Sequence, residues 1–590
     1  MVKKRIWIPL TVAACVIAMT PIVVAPFLLN ILKNKFYDSN IQNIKESETP
    51  KQLNLHKNAE LVNVSNGFLQ DPSEIKVYQD KESEDYYVNA IEVFKKMNNF
   101  FRLNGVNANN INNKFVLSNN GANVYFDEKD STISFKNFND FSFIKTTINR
   151  DYNKYINEQY TSFKLNKSDF KNINLAEYGF NFYVSGTSLY LPVSVFNLLF
   201  CSPNYFNLQF NGEKLMVSNY DATHDINFSN NEYVIDFYKD KSNIQNSKQR
   251  STNLNFLALL FDHFHGLSNQ IYKENGVKNF KELLKKHSLN EQILKNQVSE
   301  HEKSYYQIWY KYFDDLHSRI ISKSYAAESS RFQISDGIYL SKRRDEFRSI
   351  YSKLVKLRRE KNKLNKITHF YKDTARIILD SFLVGTHEQI NSSDRFKYDS
   401  YWLMNDAIRE IKRVDKDNKI KNIVLDISLN GGGSSAALQR VLGFITNRSQ
   451  NLFIQDRMSE IYTNISFTID TNQDGLYNYK DSYNNYNWYI LAGKNTFSAA
   501  NVLAHSAKTT KYAKLIGQKS GGGMFAVLPT VLPDGTHVDI SSQSGWTSGT
   551  NNEIKSINDL PYTEHGVEPD YYIPYEKFYD DNILENLFGN

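Results

Sequence analysis

The chain has 590 residues, enough for several domains, and 41% of them are hydrophobic, enough for extensive cores. Its 70 basic and 64 acidic side chains leave a net charge of +6, which is too small for this length to indicate a nucleic-acid-binding protein. The two cysteines, Cys15 and Cys201, belong to no CxxC or Cys/His cluster. We therefore predict no metal, no organic cofactor and no nucleic-acid partner.

The N-terminal segment, residues 1–34, predicts attachment to the cell membrane. A basic start is followed by an apolar run, 6–29, that is long enough to span a bilayer and leaves the rest of the chain facing the extracellular side. Two alternatives stay open. Val12–Cys15 resembles a lipobox, which would make Cys15 a lipidated N-terminus, and the segment could also be a cleaved signal peptide.

The next part of the chain predicts a spacer and then an α+β domain. Residues 35–79 are polar without a clear period, which is typical of a tether. Within 80–245, the stretches 86–135 and 189–218 both show a short helix, a strand, a turn and another strand. We interpret them as a duplicated β-α-β-β module. It resembles the copper amine oxidase N-terminal-like repeats of bacterial surface proteins and is expected to bind or to act as a spacer.

Two further regions differ in their hydrophobic period. Residues 250–370 carry apolar side chains at three- and four-residue spacing, which predicts a helical domain with helices over 253–267, 277–289, 305–320 and 344–364. Residues 371–590 alternate buried strands with amphipathic helices, which predicts a largely parallel sheet covered on its faces. The chain is therefore expected to belong to the α/β class.

A serine stands where a buried strand meets a helix. The apolar run 488–492 ends at Gly493, and Ser498 follows immediately before a helical pattern. Serine is a favoured helix cap, but the same place suits a nucleophile above a helix N-terminus. A nucleophile would need a base, a group that orients the base, and donors for an oxyanion.

A glycine loop supplies candidate oxyanion donors. Asn430–Gly433 lies between a fully apolar strand and a helix start, where the backbone N–H groups of Gly431 and Gly432 could face a developing negative charge. The amide of Ala499, next to the serine, would be another donor. A tight turn or a phosphate loop is the alternative, although the Walker lysine is missing.

Five short motifs then occur in a recognisable order: "IVLDISLNGGG", "NTFSAAN", "KLIGQKSGGG", "LPDGTHVDIS" and "GVEPDYYIP". In this order, over roughly 370–575, the chain resembles the tail-specific (C-terminal processing) serine peptidases. The resemblance implies a crotonase-like β-α superhelix, protein or peptide substrates, and Ser498 as the nucleophile. Members with a Ser–Lys dyad carry a lysine where this chain has Gly523, and Lys519 stands four places early.

The tricorn-protease-like branch, which uses a histidine base, is the better match. The segment "FDDLHSRI" resembles its base motif and assigns that role to His317, with His505 as a second candidate. The branch also has a glutamate just before its "G-V-x-P-D" motif, which here is Glu564. Glu568 and Asp570 are competing carboxylates. The 318–373 interval is too short for the PDZ domain of other members.

The sequence as a whole predicts a surface-anchored serine endopeptidase that forms an acyl-enzyme on Ser498. His317 would be the general base and acid, and Glu564 would orient it. The alternative is a non-catalytic ligand-binding or adhesin-like surface protein on the same fold. No sequence feature indicates the oligomeric state.

Overall fold

The structure is a computed structural model that describes residues 40–44, 47–112, 114–119, 122–141, 154–164, 170–239, 246–327, 337–361, 366–446, 450–549, 554, 556–583 and 587. The predicted membrane segment, 1–34, lies outside these residues. Among the helices of the described ranges, none is both long and apolar enough to cross a bilayer.

Strands and helices alternate along most of the chain. The strands are β1 Leu53–Asn63, β2 Glu74–Asp80, β3 Tyr86–Asn89, β4 Val106–Ile111, β5 Lys114–Asn119, β6 Ala122–Asp127, β7 Thr132–Phe135, β8 Ile156–Lys164, β9 Lys171–Asn174, β10 Tyr183–Ser185, β11 Ser188–Pro192, β12 Phe206–Phe210, β13 Leu215–Asn219, β14 Arg319–Ile320, β15 Thr368–Tyr371, β16 Thr374–Ile378, β17 Asn422–Asp426, β18 Gln450–Asp456, β19 Ile461–Ile469, β20 Asn487–Ala492, β21 Ala513–Gly517, β22 Phe525–Val531, β23 His537–Ser548 and β24 Tyr571–Tyr572. The helices are α1 Ala90–Lys96, α2 Val193–Phe196, α3 Tyr220–Thr223, α4 Glu232–Lys239, α5 Ser247–Leu259, α6 Ser268–Asn275, α7 Phe280–Lys286, α8 Asn290–Ile293, α9 Val298–Gln307, α10 Lys342–Glu360, α11 His387–Ile390, α12 Ser400–Val414, α13 Ser435–Ile445 and α14 Ala499–Thr510. The α/β class predicted from the sequence is confirmed.

The segment 35–79 is not a tether over its described part. β1 and β2 lie inside a seven-stranded sheet of order β10-β11-β3-β2-β1-β13-β12. Ala59 and Ile75 are directly paired and fully buried, whereas most of the side chains between the buried positions of β1 face solvent. The prediction was wrong because a strand with one solvated face carries few apolar residues and is easily read as a polar linker.

The two predicted repeats both contain a strand followed by a helix. β3 with α1 and β11 with α2 lie side by side, since β3 and β11 pair antiparallel with Val88 opposite Leu191. The turn at 127–130 separates β6 from β7, and the turn at 211–213 separates β12 from β13. β4 to β7 and β9 form a separate five-stranded sheet. A duplication of one ancestral unit stays a prediction.

The helical region packs onto the N-terminal sheet and does not form a core of its own. Val77 of β2, Phe261 after α5 and Ile540 of β23 belong to one continuous hydrophobic cluster. The helix predicted over 305–320 is shorter than expected: α9 ends at Gln307 and continues as a π-helical turn only to Tyr312.

A side chain explains why the helix stops. Asp315 Oδ1 accepts the backbone N–H groups of His317 and Ser318, both at 2.9 Å. An aspartate that binds nearby backbone in this way competes with helical hydrogen bonding. His317 therefore lies in a loop between the π-helical turn and β14.

The C-terminal half is built on the predicted parallel sheet, of order β15-β16-β17-β20-β21-β24, with β15 as its antiparallel edge. Leu425 of β17 packs with helices α12, α13 and α14 on one face. Val424, which points the opposite way, packs against Leu354 of α10 on the other face. Both faces are covered, as the continuous apolar runs of the strands predict.

A second, antiparallel sheet of order β14-β23-β18-β19-β8, with β22 beside β23, completes this half. Its edge strand β8 comes from the predicted N-terminal domain and pairs with β19 along nine residue pairs from Ile469↔Ile156 to Ile461↔Lys164. The predicted boundary near residue 245 therefore does not separate independent folding units.

Candidate active site

Ser498 occupies a strained position between β20 and α14. Its backbone has φ +57° and ψ −126°, a region that residues other than glycine rarely adopt. Its N–H donates to the Gly522 carbonyl at 2.9 Å, which holds the conformation in place. The Ser498 side chain makes no capping hydrogen bond to the helix, so the helix-cap interpretation is not supported. Strain of this kind is typical of functional positions.

The glycine loop lies directly against this serine. Gly432 has φ +110°, and a Cβ atom added there would stand 2.6 Å from Ser498 Cβ. At Gly433, with φ +128°, an added Cβ would stand 2.3 Å from the Phe382 carbonyl oxygen. Only glycine permits both the dihedral angles and the close approach. The absence of a side chain at Gly432 therefore allows the glycine loop to contact Ser498 directly.

The donors available for an oxyanion differ from the sequence prediction at one position. The Gly432 N–H donates to Asn430 Oδ1 at 2.8 Å, so it is not free to bind an oxyanion in this conformation. In the described part of the chain, the amides of Gly431, Gly433 and Ala499 have no acceptor. The side chain of Asn430 was the feature missed, because the sequence does not show which way an asparagine points.

His317 is buried against Phe497, the residue that precedes Ser498. Its ring lies 4.6 Å, centroid to centroid, from the ring of Phe497, and 2% of the residue is exposed. Burial lowers the pKa of His317 to about 4, and its Nδ1 has no hydrogen-bond partner within the described ranges. No hydrogen bond joins His317 to Ser498 among the described residues. Such bonds are often long in ligand-free enzymes and shorten when substrate binds.

The space that a dyad lysine would need is occupied. Gly523 has φ +79°, and a Cβ atom there would stand 2.2 Å from the Phe497 ring. Phe497 therefore lies between Gly523 and His317. Lys519 is half-exposed and forms an ion pair with Glu568 at 2.9 Å. Neither position offers a lysine to Ser498, in agreement with the preference for a histidine base.

Asp315 is the carboxylate whose charge acts most strongly on His317. The charge of Asp315 raises the pKa of His317, which partly offsets the larger, lowering effect of burial. Its Oδ1 accepts the backbone N–H of His317 and, at 2.8 Å, the hydroxyl of Ser541. No role was predicted for Asp315 from the sequence. Its place two residues before the predicted base, His317, was the available signal.

Glu564, the predicted orienting residue, is also buried at the site but makes no hydrogen bond to His317 among the described residues. Its Oε2 accepts the N–H of Met524 at 2.9 Å, and its Oε1 lies 3.7 Å from Arg343 Nη2. The pKa of Glu564 is raised to about 7, chiefly by burial; the charge of Arg343 opposes this shift and the charge of Asp315 adds to it. Its backbone carbonyl accepts the Gly523 N–H at 3.1 Å, which ties it to the nucleophile joint.

The competing candidates are engaged elsewhere. His505 Nδ1 lies 2.8 Å from Ser548 Oγ, facing the antiparallel sheet. Asp570 accepts the backbone N–H of Leu515 at 2.9 Å, and Glu568 lies at the surface with Lys519. Among the described residues, none of the three is hydrogen-bonded to Ser498 or His317.

Ser498 lies at a strained joint against the glycine loop, and the buried His317 packs against the neighbouring Phe497 ring. This arrangement fits a site of the serine-hydrolase type. Residues 389–573 match the sequence profile of Peptidase family S41, so the chain carries a domain of this family of serine peptidases. The match includes Ser498 and Glu564, whereas His317 lies upstream of it. The resemblance inferred from the ordered motifs is thereby confirmed at the level of the family.

Solved structures similar to this chain include a photosystem II D1 C-terminal processing protease, at 21% identity over 34% of this chain and 43% of that chain, with a TM-score of 0.25. A lipoprotein from Streptococcus agalactiae matches at 12% identity over 55% of this chain and 91% of that one, TM-score 0.30. Tricorn protease matches at 11% identity over 81% of this chain and 44% of that chain, with a TM-score of 0.27. The chain thus spans less than half of the D1 processing protease. No curated protein sequence matches it significantly.

Proposed function

We propose that this protein is a serine endopeptidase that hydrolyses peptide bonds through an acyl-enzyme on Ser498. The observation that supports it most directly is the strained Ser498, whose side chain does not cap the helix and which lies against the glycine loop. His317 packs against the neighbouring Phe497 ring. The S41 domain match supports the peptidase class. A crotonase-like superhelix for this domain stays a prediction.

The chemistry proceeds in two halves. Ser498 Oγ attacks the carbonyl carbon of the scissile bond while neutral His317 takes its proton, and the resulting oxyanion is bound by the free amides of Ala499 and the glycine loop. The C–N bond then breaks, and His317 returns the proton to the leaving amine. Water attacks the ester in the same way, so that the acid product leaves and Ser498 regains its proton.

The two buried carboxylates have different roles in this proposal. Asp315 fixes the backbone of the loop that carries His317 and stabilises the imidazolium by its charge. Glu564 holds Met524 and the Gly523 N–H, and it completes the orientation of the imidazole when substrate closes the site. The low pKa of His317 keeps it neutral, and therefore able to act as a base, at any pH well above 4.

The first test is covalent labelling of the purified full-length chain with a fluorophosphonate probe. Wild type is compared with Ser498→Ala, His317→Ala and Lys519→Ala. His505→Ala is a control, because it removes a partly buried imidazole that contacts Ser548 instead of the site. We expect labelling to be lost in the Ser498 and His317 variants only. Loss in Lys519→Ala would replace the histidine base by a lysine, and no labelling of folded wild type would favour the binding-protein alternative.

A second measurement separates a peptidase from other serine hydrolases. Wild type and Ser498→Ala are incubated with a mixture of synthetic peptides, and the products are identified by mass spectrometry. Internal cleavage by wild type alone supports an endopeptidase. A stable added mass on Ser498, seen in the intact protein shortly after mixing, would identify the acyl-enzyme. Labelling without cleavage of any peptide would contradict the proposed substrate class.

We further propose that the enzyme faces the extracellular side of the cell membrane, attached through residues 6–29. The support is the basic start followed by an apolar run of bilayer length. The test is fractionation of the native cells together with the intact mass of the protein. Membrane association that survives Cys15→Ala supports a peptide anchor, and lipid mass lost in Cys15→Ala supports a lipoprotein. Recovery of a shortened chain from the medium would refute attachment.

A further inference from the structure

A twelve-residue loop follows β19 and carries oxygen ligands at regular positions. Its sequence, residues 470–481, is "DTNQDGLYNYKD". Aspartate or asparagine stands at positions 1, 3, 5, 9 and 12, and glycine at position 6: Asp470, Asn472, Asp474, Asn478, Asp481 and Gly475. Calcium loops of the EF-hand type bind the ion through side chains at positions 1, 3, 5 and 12 and through the carbonyl at position 7. The motif lies outside the peptidase machinery.

The backbone of the loop has the turn that this spacing requires. Gly475 at position 6 has φ +78°, which favours glycine. Its N–H donates to Asp470 Oδ2 at 2.9 Å, and the N–H of Asn478 donates to Asp481 Oδ2 at 2.8 Å. The side chains at the first and last positions, Asp470 and Asp481, therefore each accept a backbone N–H from within the loop.

Two carboxylates of the loop are buried without a cation. Asp470 is 3% exposed and Asp481 is 2% exposed, and no basic side chain in the described part of the chain forms an ion pair with either. Backbone N–H groups bind both carboxylates: Gln473 donates to Asp470 Oδ1 at 2.6 Å, and Thr471 donates to Asp481 Oδ1 at 2.9 Å. These bonds satisfy the oxygens but leave both charges without an ion pair among the described residues. Buried charges in proteins are normally paired with an opposite charge or bound to a metal ion, and the spacing of the loop favours a metal ion here.

We propose that residues 470–481 bind one calcium ion. The ligands are the carboxylates of Asp470, Asp474 and Asp481, the amide oxygen of Asn472 and the carbonyl of Leu476. Asp474 is at the surface, with its Oδ1 on the N–H of Leu476 at 2.8 Å, so no three acidic side chains converge in the described structure. Rotation of this one exposed side chain brings in the third carboxylate.

The position of the loop explains what calcium would do. Tyr401 Oη donates to the Asp470 carbonyl and Asn405 Nδ2 donates to the Thr471 carbonyl, both at 2.8 Å, so the loop is docked on α12. The chain then runs through β20 to Ser498. Calcium would fix the connection between β19 and β20 and hold it on α12, and none of its ligands belongs to the group of Ser498, His317 and Glu564. It is therefore a stabilising ion and not a catalytic one.

The test is calorimetric titration of the full-length chain, freed of metal with a chelator, with calcium chloride and then with magnesium chloride. We expect one calcium ion per chain, with a dissociation constant of roughly 10⁻⁵ to 10⁻³ M and magnesium at least about tenfold weaker. Asp470→Asn and Asp474→Ala should each weaken calcium binding by at least about tenfold. Asp417→Asn is the control, since Asp417 is an exposed aspartate paired with Lys419 outside the loop.

The variants separate a calcium site in the loop from binding elsewhere on the chain. Asp474 is exposed, so Asp474→Ala should fold even if a buried variant does not. Calcium binding that is lost in the loop variants and kept in Asp417→Asn supports the site. No heat of binding in wild type up to millimolar calcium overturns it, as does calcium binding unaffected by both loop variants. Equal affinity for magnesium overturns the assignment of calcium. None of these results depends on peptidase activity.

Discussion

Replacement of Glu564 by glutamine should stabilise the protein at pH 8 while abolishing its reactivity. Burial raises the pKa of Glu564 from its ordinary 4.5 to about 7, and Arg343 lies too far away, at 3.7 Å, to cancel this effect. Between these two values the folded protein holds a proton that the unfolded chain has released. Stability therefore falls as the pH rises from 4.5 through 7, and the folded state bears the full cost of the buried charge above that range.

The size of the effect follows from the two pKa values. A change from 4.5 to about 7 corresponds to roughly 3 kcal/mol in the free energy of unfolding. Glutamine does not ionise, and its amide oxygen can still accept the Met524 N–H that Glu564 accepts at 2.9 Å. The Glu564→Gln variant should therefore be more stable than wild type by about 3 kcal/mol at pH 8 and equally stable at pH 4.

The assay is urea unfolding of both proteins at pH 4 and pH 8, followed by tryptophan fluorescence, to which the buried Trp309, Trp402, Trp488 and Trp546 contribute. Glu568→Gln is the matched control, because Glu568 is a half-exposed glutamate paired with Lys519. A Glu564→Gln variant that gains no stability at pH 8 would refute the reasoning. So would equal stabilisation at both pH values, which would indicate better packing and not removal of a charge.

Four other outcomes are expected. The rate of fluorophosphonate labelling of wild type should fall about tenfold per pH unit below pH 7, where Glu564 takes up its proton; a profile that is flat from pH 8 to pH 5 would show that its ionisation is not needed. Asp315→Ala should lower the free energy of unfolding by about 3 kcal/mol, measured in urea, because it leaves buried donors of His317, Ser318 and Ser541 without an acceptor, and an unchanged midpoint would contradict this. Gly523→Ala should lower both labelling and the thermal midpoint, since its Cβ would enter the Phe497 ring, and wild-type values in both measurements would show that the ring can move away. Lys519→Ala should leave labelling within about twofold of wild type, as expected for an exposed surface pair.

The sequence predicts the C-terminal half well because its signals are local. Continuous apolar runs identify β17 and β20. The predicted helix after Ser498 begins at Ala499, where the spacing of apolar residues changes to that of a helix. The family motifs single out Ser498 and Glu564, which the structure brings to opposite sides of the 522–523 turn, while their catalytic roles stay predictions. These features depend on neighbours a few positions away, which a sequence displays directly.

The rest depends on contacts between distant parts of the chain. β1 looks like a linker because half of its surface is solvated, and its buried half is defined by strands far along the sequence. The Gly432 amide looks free until the Asn430 side chain is seen to reach it. Asp315 acquires its importance from Ser541, which lies on β23 more than two hundred residues later. Such pairings have no local signature.

The strand β8 has a consequence for how this protein can be divided or recombined. It runs along the open side of β19, so a fragment that began after residue 245 would expose the backbone hydrogen-bonding groups of β19 to solvent. Unpaired edges of this length are prone to join with other chains. A gene fusion or truncation that keeps only the part matching the family profile, 389–573, would then produce an aggregating protein, so β8 has to be kept together with the C-terminal half.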